Sequence, residues 1–359
     1  MAQNEDRGRC IKAGELAVVV GAGRSGKAAA RLLLRQGARV RLLESNPQAL
    51  DEAQAAALRA EGIELVLGEQ GPELFAGAKM VVPSPGLPVV RLREMMGPHA
   101  DAEGTEILAE MELAWRALDG EPVLAVTGTS GKTTTVSLAA AMLREQGLRV
   151  FLGGNIGTPL LPRVDTMTEN DLAVVELSSF QLMGMKHSPH IAAITNLTPN
   201  HLDYHKDFDE YVQAKTAIYR NQGENDKLIL NLDDEVTRSL KASGNLFCTS
   251  KTQELANGVF LKNDVIYIAD GGVRRELMPA SDIRIPGAHN VYNMMMAAAV
   301  VQGYASDDDI RAVATTFGGV EHCPDTGACL LREGFRFPCG EEFLRGNESA
   351  AFHVEVPRF

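Results

Sequence analysis

Short apolar runs recur along the chain, each closing on a glycine or polar turn and then passing into residues with helical spacing. The first is Leu16-Ala-Val-Val-Val20, which ends at Gly21-Ala-Gly-Arg-Ser-Gly26 and leads into a predicted helix over 28–36. Arg39-Val-Arg-Leu-Leu43 is the next strand and closes on Glu44-Ser45. Unbroken runs of this kind predict strands covered on both faces, and their alternation with helices predicts a parallel sheet. Met80-Val-Val82 is a further strand, and it runs into the rigid turn Pro83-Ser-Pro-Gly-Leu-Pro88. Over 105–118, Ile107, Leu108, Met111, Leu113, Ala114 and Leu118 fall at helical spacing around Trp115, predicting a helix that packs into a core. Asp119-Gly120-Glu121-Pro122 breaks that helix and marks a domain boundary.

Beyond the break the alternation resumes. Val123-Leu-Ala-Val126 is a strand, residues 136–146 a helix, and 149–152, 172–175, 190–195 and 227–230 are further strands. In such sheets ligands sit at the carboxyl ends of the strands. Residues 245–275 are rich in turn formers and read as short antiparallel strands. Pro286-Gly-Ala-His-Asn-Val-Tyr-Asn293 then opens a helix over 294–301. The expected class is α/β: a Rossmann-like parallel-sheet domain over 1–120, a central P-loop mononucleotide-binding domain over 121–317, and an irregular tail over 318–359.

Composition narrows the partners. The 359 residues carry 35 Lys plus Arg against 47 Asp plus Glu, a net charge of −12, with no basic run to offset it. That argues against a nucleic-acid or anionic-membrane partner. The apolar run 294–301 falls far short of the ~18 residues a membrane span needs, and no cleavable leader fits the polar start. The five Cys, at 10, 248, 323, 329 and 339, form no CxxC pair, which is reduced, intracellular usage. A soluble cytoplasmic protein is expected.

The stretch with the clearest chemistry is Thr127-Gly-Thr-Ser-Gly-Lys-Thr-Thr134. Strand, glycine loop and helix N-terminus make a phosphate cradle of backbone N–H groups, formed here by Gly128, Thr129, Ser130 and Gly131. Lys132 reaches the β- and γ-phosphates, and the hydroxyl of Thr133 or Thr134 ligates Mg²⁺. The full template has a glycine where Val126 stands, so the loop is a shortened variant. The bland alternative is a strand-to-helix turn with a surface lysine, but strand, loop chemistry and helix fall in order, and the reading is an ATP site. Glu176, ending the strand 172–175, is placed to hold the nucleotide's Mg²⁺, or else it merely caps a helix or sits in solvent. His201, in the polar cluster Asn200-His201-Leu-Asp-Tyr-His205, is a candidate second metal ligand. Lys215 lies on a predicted helix over 211–219, where lysines are mostly solvated. The Gly21–Gly26 loop has the GxGxxG form with an acid, Glu44, at the end of the next strand; it suits a second nucleotide-like ligand, or simply close packing of helix on sheet.

Taken together, Thr127–Thr134, Gly153-Gly-Asn-Ile-Gly157, Glu176-Leu-Ser-Ser-Phe-Gln-Leu182, Asn196-Leu-Thr-Pro-Asn-His-Leu-Asp203, Ala214-Lys215 and His289-Asn-Val-Tyr-Asn293 resemble the motif series of the Mur ligases of peptidoglycan synthesis. The Glu-Leu-Ser-Ser-Phe-Gln-Leu segment is similar to the branch that adds D-glutamate to UDP-N-acetylmuramoyl-L-alanine. The resemblance runs from about residue 16 to 317. It implies ATP-dependent amide ligation through an acyl phosphate, by an enzyme expected to be monomeric. It further implies that Lys132 binds phosphate and that Thr133 or Thr134 and Glu176 hold one Mg²⁺. His201 and a carbamylated Lys215 would serve a second metal ion, making Lys132, Glu176, His201 and Lys215 the catalytic set. Asn290 and Asn293 would face the adenine, and Asn155 the acceptor. Gly21, Gly23, Ser25, Gly26, Glu44, Ser45 and Ser84 would hold the UDP part. The family continues with an arginine where Cys323 stands, and with an Asp-Ser-Lys loop that residues 323–359 lack. The tail therefore reads as the product of a truncated or frame-shifted gene, with substrate binding kept and turnover low. A zinc site from His322, Cys323, Cys329 and Cys339 matches no standard spacing.

Overall fold

The run Leu16–Val20 (β1) is buried at every position, as a central parallel strand covered on both faces must be. In the computed structural model, which describes residues 10–84, 87–101, 104–118, 120, 122–157, 159–202, 204–241, 245–322 and 329–331, it is followed by α1 (Arg24–Arg35), β2 (Arg39–Glu44), α2 (Glu52–Ala60), β3 (Glu64–Leu67), β4 (Ala78–Pro83), α3 (Val89–Met96), β5 (Glu106–Ile107) and α4 (Glu110–Ala117). The five strands lie in the order β3-β2-β1-β4-β5, all parallel. The order reverses between β1 and β4, so their carboxyl ends, at Gly21 and Ser84, flank the crevice where such sheets bind ligands.

One predicted helix is shorter than its periodicity. Glu106 and Ile107 do not begin a helix but pair with Met80 and Val81 as a parallel edge strand, and Leu108 N–H donates to Val81 O at 2.9 Å. A vacant sheet edge beside β4 outweighs the helical spacing of a β-branched residue, and the helix starts only at Glu110. Trp115 is buried on it, as its spacing predicted.

The second stretch holds β6 (Val123–Thr127), α5 (Lys132–Glu145), β7 (Arg149–Gly154), β8 (Asp171–Glu176), α6 (Ser179–Leu182), β9 (Ile191–Ile194), α7 (Phe208–Thr216), β10 (Lys227–Asn231), α8 (Glu235–Ser239), β11 (Asn245–Ser250), β12 (Gly258–Lys262), β13 (Val265–Asp270), β14 (Val273–Pro279), α9 (Ala288–Val300) and α10 (Asp307–Thr316). They build a nine-stranded sheet in the order β14-β13-β12-β11-β10-β9-β6-β8-β7. The expectation of antiparallel pairing over 245–275 is corrected in part. β11 runs parallel to β10, with α8 crossing over between them, and parallel to β12. Only β12-β13-β14 is antiparallel, joined by two tight turns, Asn263-Asp264 (φ +50° and +59°) and Gly271-Gly272 (φ +57° and +81°). Positive φ at both central residues is what a two-residue hairpin turn requires. Helices α5 and α9 are buried along most of their length and share one core with β6, β8 and β9. Each fully buried Val or Leu there contributes about 1.5–3 kcal/mol. In the tail, β15 (Val320–His322) and β16 (Cys329–Leu331) form an antiparallel pair. Cys323 and Cys339 of the zinc alternative lie outside the described residues.

By its contacts the chain forms two units. Met1–Gly120 is joined by Pro159–Met167 and Phe180–Lys186; Glu121–Thr158, Thr168–Ser179 and His187–Phe359 make the other. Within the first, Arg116 pairs with Glu106 at 2.8 Å and Glu112 at 3.1 Å, while Lys186 N–H donates to Glu112 at 2.9 Å and its ammonium meets Glu106 at 2.5 Å. Arg116 above all, aided by Lys186 and opposed by burial, holds the Glu106 carboxyl down at about 2. No helix among the described residues is long and apolar enough to cross a membrane.

Candidate active site

In the second sheet the strand order reverses around β6, between β8 and β9, and the loop after β6 is the glycine loop. Gly128 has φ +142°, and a Cβ there would lie 2.0 Å from Thr195 Oγ1. The residues just after β9 lace the loop in place. Thr129 N–H donates to Asn196 O (2.8 Å), and the Asn196 side chain takes Ser130 N–H and returns a bond to Ser130 O, both 3.0 Å. Thr195 Oγ1 adds a bond to Ser130 O at 2.7 Å. Gly131, with φ +81°, precedes α5, whose first bond runs from Thr135 N–H to Gly131 O at 3.0 Å. The N–H groups of 131–134 precede that bond, so they and the positive helix end are what an anion would meet.

Lys132 is not the exposed loop charge a bare turn suggests. It is half-buried on the first turn of α5, its ammonium donates to Thr129 O at 2.9 Å, and burial lowers its pKa against the opposing pull of Glu176. Glu176, at the end of β8, is buried; Oε2 accepts from Thr133 Oγ1 at 2.7 Å and Oε1 from Asn155 Nδ2 at 2.9 Å. Asn155, expected at the acceptor, is thus bonded to this carboxylate. Thr134 lies half-buried on the same first turn as Thr133.

Lys215 departs most from the sequence reading. It is 2% exposed, donates to Thr127 Oγ1 at 3.1 Å, and lies 5.1 Å from the ring centre of Tyr211. The Thr127 hydroxyl in turn donates to Leu177 O at 2.6 Å. Burial, with the nearby positive charge of Lys132, pulls the amine down to about 7 despite Glu176. Among the described residues this amine makes no ion pair. His201 is exposed, with φ +53°, and its carbonyl accepts from Tyr204 N–H and His205 N–H. Among the described residues no group of three or more His, Cys, Asp or Glu is placed to hold a metal ion.

A cavity of about 370 Å³ opens beside the loop, lined by Ser130, Gly131, Asn196, Asp233, Tyr292 and Asn293 among others. Asn293 Nδ2 donates to Asn290 Oδ1 (2.9 Å), and Asn290 Nδ2 donates to Pro286 O (2.7 Å). Of the two asparagines named from the sequence, Asn293 therefore lines this cavity and Asn290 is bonded to it. Asp233, Tyr292, Thr195 and Tyr211, whose hydroxyl meets Thr129 Oγ1 at 3.0 Å, were not singled out. The strand-end rule could have found Asp233, which stands two residues past the end of β10.

In the first unit, Gly21 (φ +100°) abuts Ser84, whose Oγ would be 2.6 Å from a Cβ at that glycine. A Cβ on Gly26 would strike Gly21 O at 1.8 Å, so this glycine serves close packing of α1 on the sheet. Glu44 accepts from Ala22 N–H (2.8 Å) and Asn46 N–H (2.9 Å), one bond to each oxygen, and so helps to shape the loop. Gly23 and Ser45 are exposed, and Ser25 is half-buried in the first turn of α1.

Two family models match: the Mur ligase middle domain over residues 126–301, and the N-terminal domain of MurD-like Mur ligases over 15–109. A protein of Desulfovibrio desulfuricans named UDP-N-acetylmuramoylalanine--D-glutamate ligase is 50% identical over 319 residues, covering 88% of this chain and 67% of the relative. This chain belongs to the Mur ligase family. Relatives with the same name from Nitratidesulfovibrio vulgaris (52% over 238 residues, 64% of this chain) and Acetivibrio thermocellus (44% over 262 residues, 72% of this chain) are covered to 53% and 55% of their length. The chain thus spans about half to two thirds of these Mur ligases. Among solved structures, UDP-N-acetylmuramate:L-alanyl-gamma-D-glutamyl-meso-diaminopimelate ligase from Neisseria meningitides is similar at TM-score 0.56 and 19% identity, covering 86% of this chain and all of that one. A murein peptide ligase from Psychrobacter arcticus gives 0.52 and 18%, covering 85% and 69%. At those identities the likeness speaks for the Mur ligase fold alone.

Proposed function

We propose that this chain binds Mg·ATP at the loop 128–134 and a UDP-linked muramoyl acceptor in the first unit. Its reaction is that of the relatives' name, joining D-glutamate to UDP-N-acetylmuramoyl-L-alanine. The observation that carries the reading is the buried amine of Lys215, held by Thr127 beneath the phosphate loop and beside Glu176. A desolvated lysine beside a phosphate cradle is costly and is kept where chemistry uses it.

In this reaction the γ-phosphoryl group passes to the acceptor carboxylate, and the D-glutamate amine then displaces phosphate from the acyl phosphate. Lys132 and the N–H groups of 131–134 neutralise the charge clustered on the transferring group. Asn196 and Thr195 keep that cradle formed before the nucleotide arrives. Mg²⁺ fits the donors present: the Thr133 hydroxyl and the Glu176 carboxylate, already in contact at 2.7 Å, are hard oxygen ligands. The ion would supply charge neutralisation at the phosphates. His201 and a carbamate on Lys215 would complete a second site, since a neutral amine adds to CO₂ and sheds a proton. Asn290 and Asn293 would meet the base; Gly21, Gly23, Ser25, Gly26, Glu44, Ser45 and Ser84 the UDP part; Asn155 the acceptor side of Glu176. Small substrates, a monomer and a cytoplasmic setting complete the proposal; the net charge of −12 with no basic run argues against a nucleic-acid partner.

The test is phosphate release with ATP, UDP-N-acetylmuramoyl-L-alanine and D-glutamate, beside calorimetric titration of each ligand. Binding of ATP and acceptor, with slow release that needs all three, is the expected result. Binding without such release would assign a nucleotide-binding role without ligation.

A further inference from the structure

The cavity beside the phosphate loop is lined in part by a carboxylate that no expected role explains. Asp233 follows β10, and its two oxygens take four donors: Ser250 Oγ (2.7 Å) and Thr252 Oγ1 (2.6 Å) on one, Lys251 N–H (2.5 Å) and the Tyr292 hydroxyl (2.7 Å) on the other. These donors come from the end of β11 and from the second turn of α9. Lys251 also lays its ammonium over the Tyr292 ring, 4.4 Å from the centroid, and reaches Ala288 O at 3.4 Å. One carboxylate therefore ties two strand ends to a helix.

The helical turn it holds is the one that faces the phosphate loop. Asn293, next to Tyr292, places Oδ1 where a Cβ on Gly131 would meet it at 2.3 Å, so the helix and the loop are already in contact. Rotation of α9 about that contact would change the width of the cavity, which Asp233 and Tyr292 also line. The Tyr292–Asp233 bond opposes such rotation. With four donors in place, Asp233 has no acceptor to spare for a ribose hydroxyl or a cation unless the knot opens, so its part is to position and not to ligate.

We infer that Asp233 and Tyr292 form a positioning pair that sets the nucleoside end of the ATP cavity, independently of the phosphate cradle. This rests on the reading of the loop as an ATP site. It predicts a selective loss: ligands with a nucleoside should feel the pair, and the bare phosphate chain should not.

The experiment is calorimetric titration of the full chain with Mg·ATP and, separately, with Mg·tripolyphosphate. Tyr292→Phe keeps the ring under Lys251 and removes only the hydroxyl. The Kd for ATP should rise about tenfold, while that for tripolyphosphate stays within about twofold. Should Tyr292→Phe not fold, Ser250→Ala loosens the same carboxylate from the strand side, and a smaller ATP-selective loss, about threefold, is expected. Unchanged ATP affinity in the folded variant, or equal loss for both ligands, would overturn the inference. A wild-type chain that binds tripolyphosphate but no ATP would remove the nucleotide reading and the pair's role with it.

Discussion

Replacing Gly128 by alanine tests whether the phosphate loop is held by its backbone path or by its side chains. At φ +142° an alanine is strained, and its Cβ would lie 2.0 Å from Thr195 Oγ1 and 3.1 Å from Asn196 O and Thr195 N. The two backbone atoms stand on the residues just past β9 and cannot retreat, so the hydroxyl must, giving up its bonds to Ser130 O (2.7 Å) and Thr127 O (3.3 Å). Strain of about 1–3 kcal/mol for the backbone conformation, with about 0.5–1.5 kcal/mol for the displaced hydrogen bond, suggests a loss of about 2–4 kcal/mol. Thr195→Ala alone loses the bond but leaves no clash and should cost about 1 kcal/mol. The double variant removes the clash that the first creates. It should therefore be no less stable than Gly128→Ala, a coupling of about 1 kcal/mol in its favour. Urea unfolding followed by circular dichroism measures all four proteins, and the emission of Trp115 reports the first unit separately. Strictly additive losses, or a Gly128→Ala cost below about 1 kcal/mol, would show that the loop bends freely and that the contact with Thr195 does not shape it.

Lys132→Ala should abolish detectable ATP binding by calorimetry with the circular dichroism spectrum unchanged; retained affinity would remove the phosphate-cradle assignment. Lys215, with its amine near 7, should take up CO₂ increasingly as pH rises from 6 to 8 in bicarbonate. A carbamate resonance in ¹³C-bicarbonate NMR, absent in Lys215→Arg, is the expected signal, and its absence in the wild type at pH 8 argues for a plain buried amine. Glu106 has a depressed pKa, about 2 in the fold, so its ion pairs stabilise above the unfolded carboxyl's range and are lost as pH falls from about 4.3 toward 2. Acid titration of Trp115 emission should show that slope flattened in Arg116→Gln; an identical slope would mean the pairs contribute nothing measurable.

The alternation of apolar runs and helical spacings made both sheets legible, because a central parallel strand has no polar face to disguise it. Gly128, Lys132, Thr133 and Glu176 were legible for the same reason: they follow strand ends whose position the pattern shows. The edges were harder. Glu106-Ile107 carries helical spacing and becomes a strand only because β4 has a free edge, which no local pattern records. Lys215 was visible only through resemblance, since burial of a helical lysine depends on what Tyr211 and Thr127 bring to it from distant parts of the chain. Asp233 was missed because its importance lies in four donors from three other residues of β11's end and one of α9.

The ion pair between Glu106 and Lys186 joins residues eighty positions apart, and the stretches 159–167 and 180–186 belong with residues 1–120. The first unit is therefore not a contiguous piece of the gene. As the chain leaves the ribosome, its amino-terminal sheet can form early, but the ionic cluster on α4 waits until Lys186 has emerged. By then the phosphate-loop strand, α5 and β8 are already outside. A fragment cut at Gly120 would lack two of its own segments, and Glu106, Glu112 and Arg116 would close on one another without the partner that arrives last.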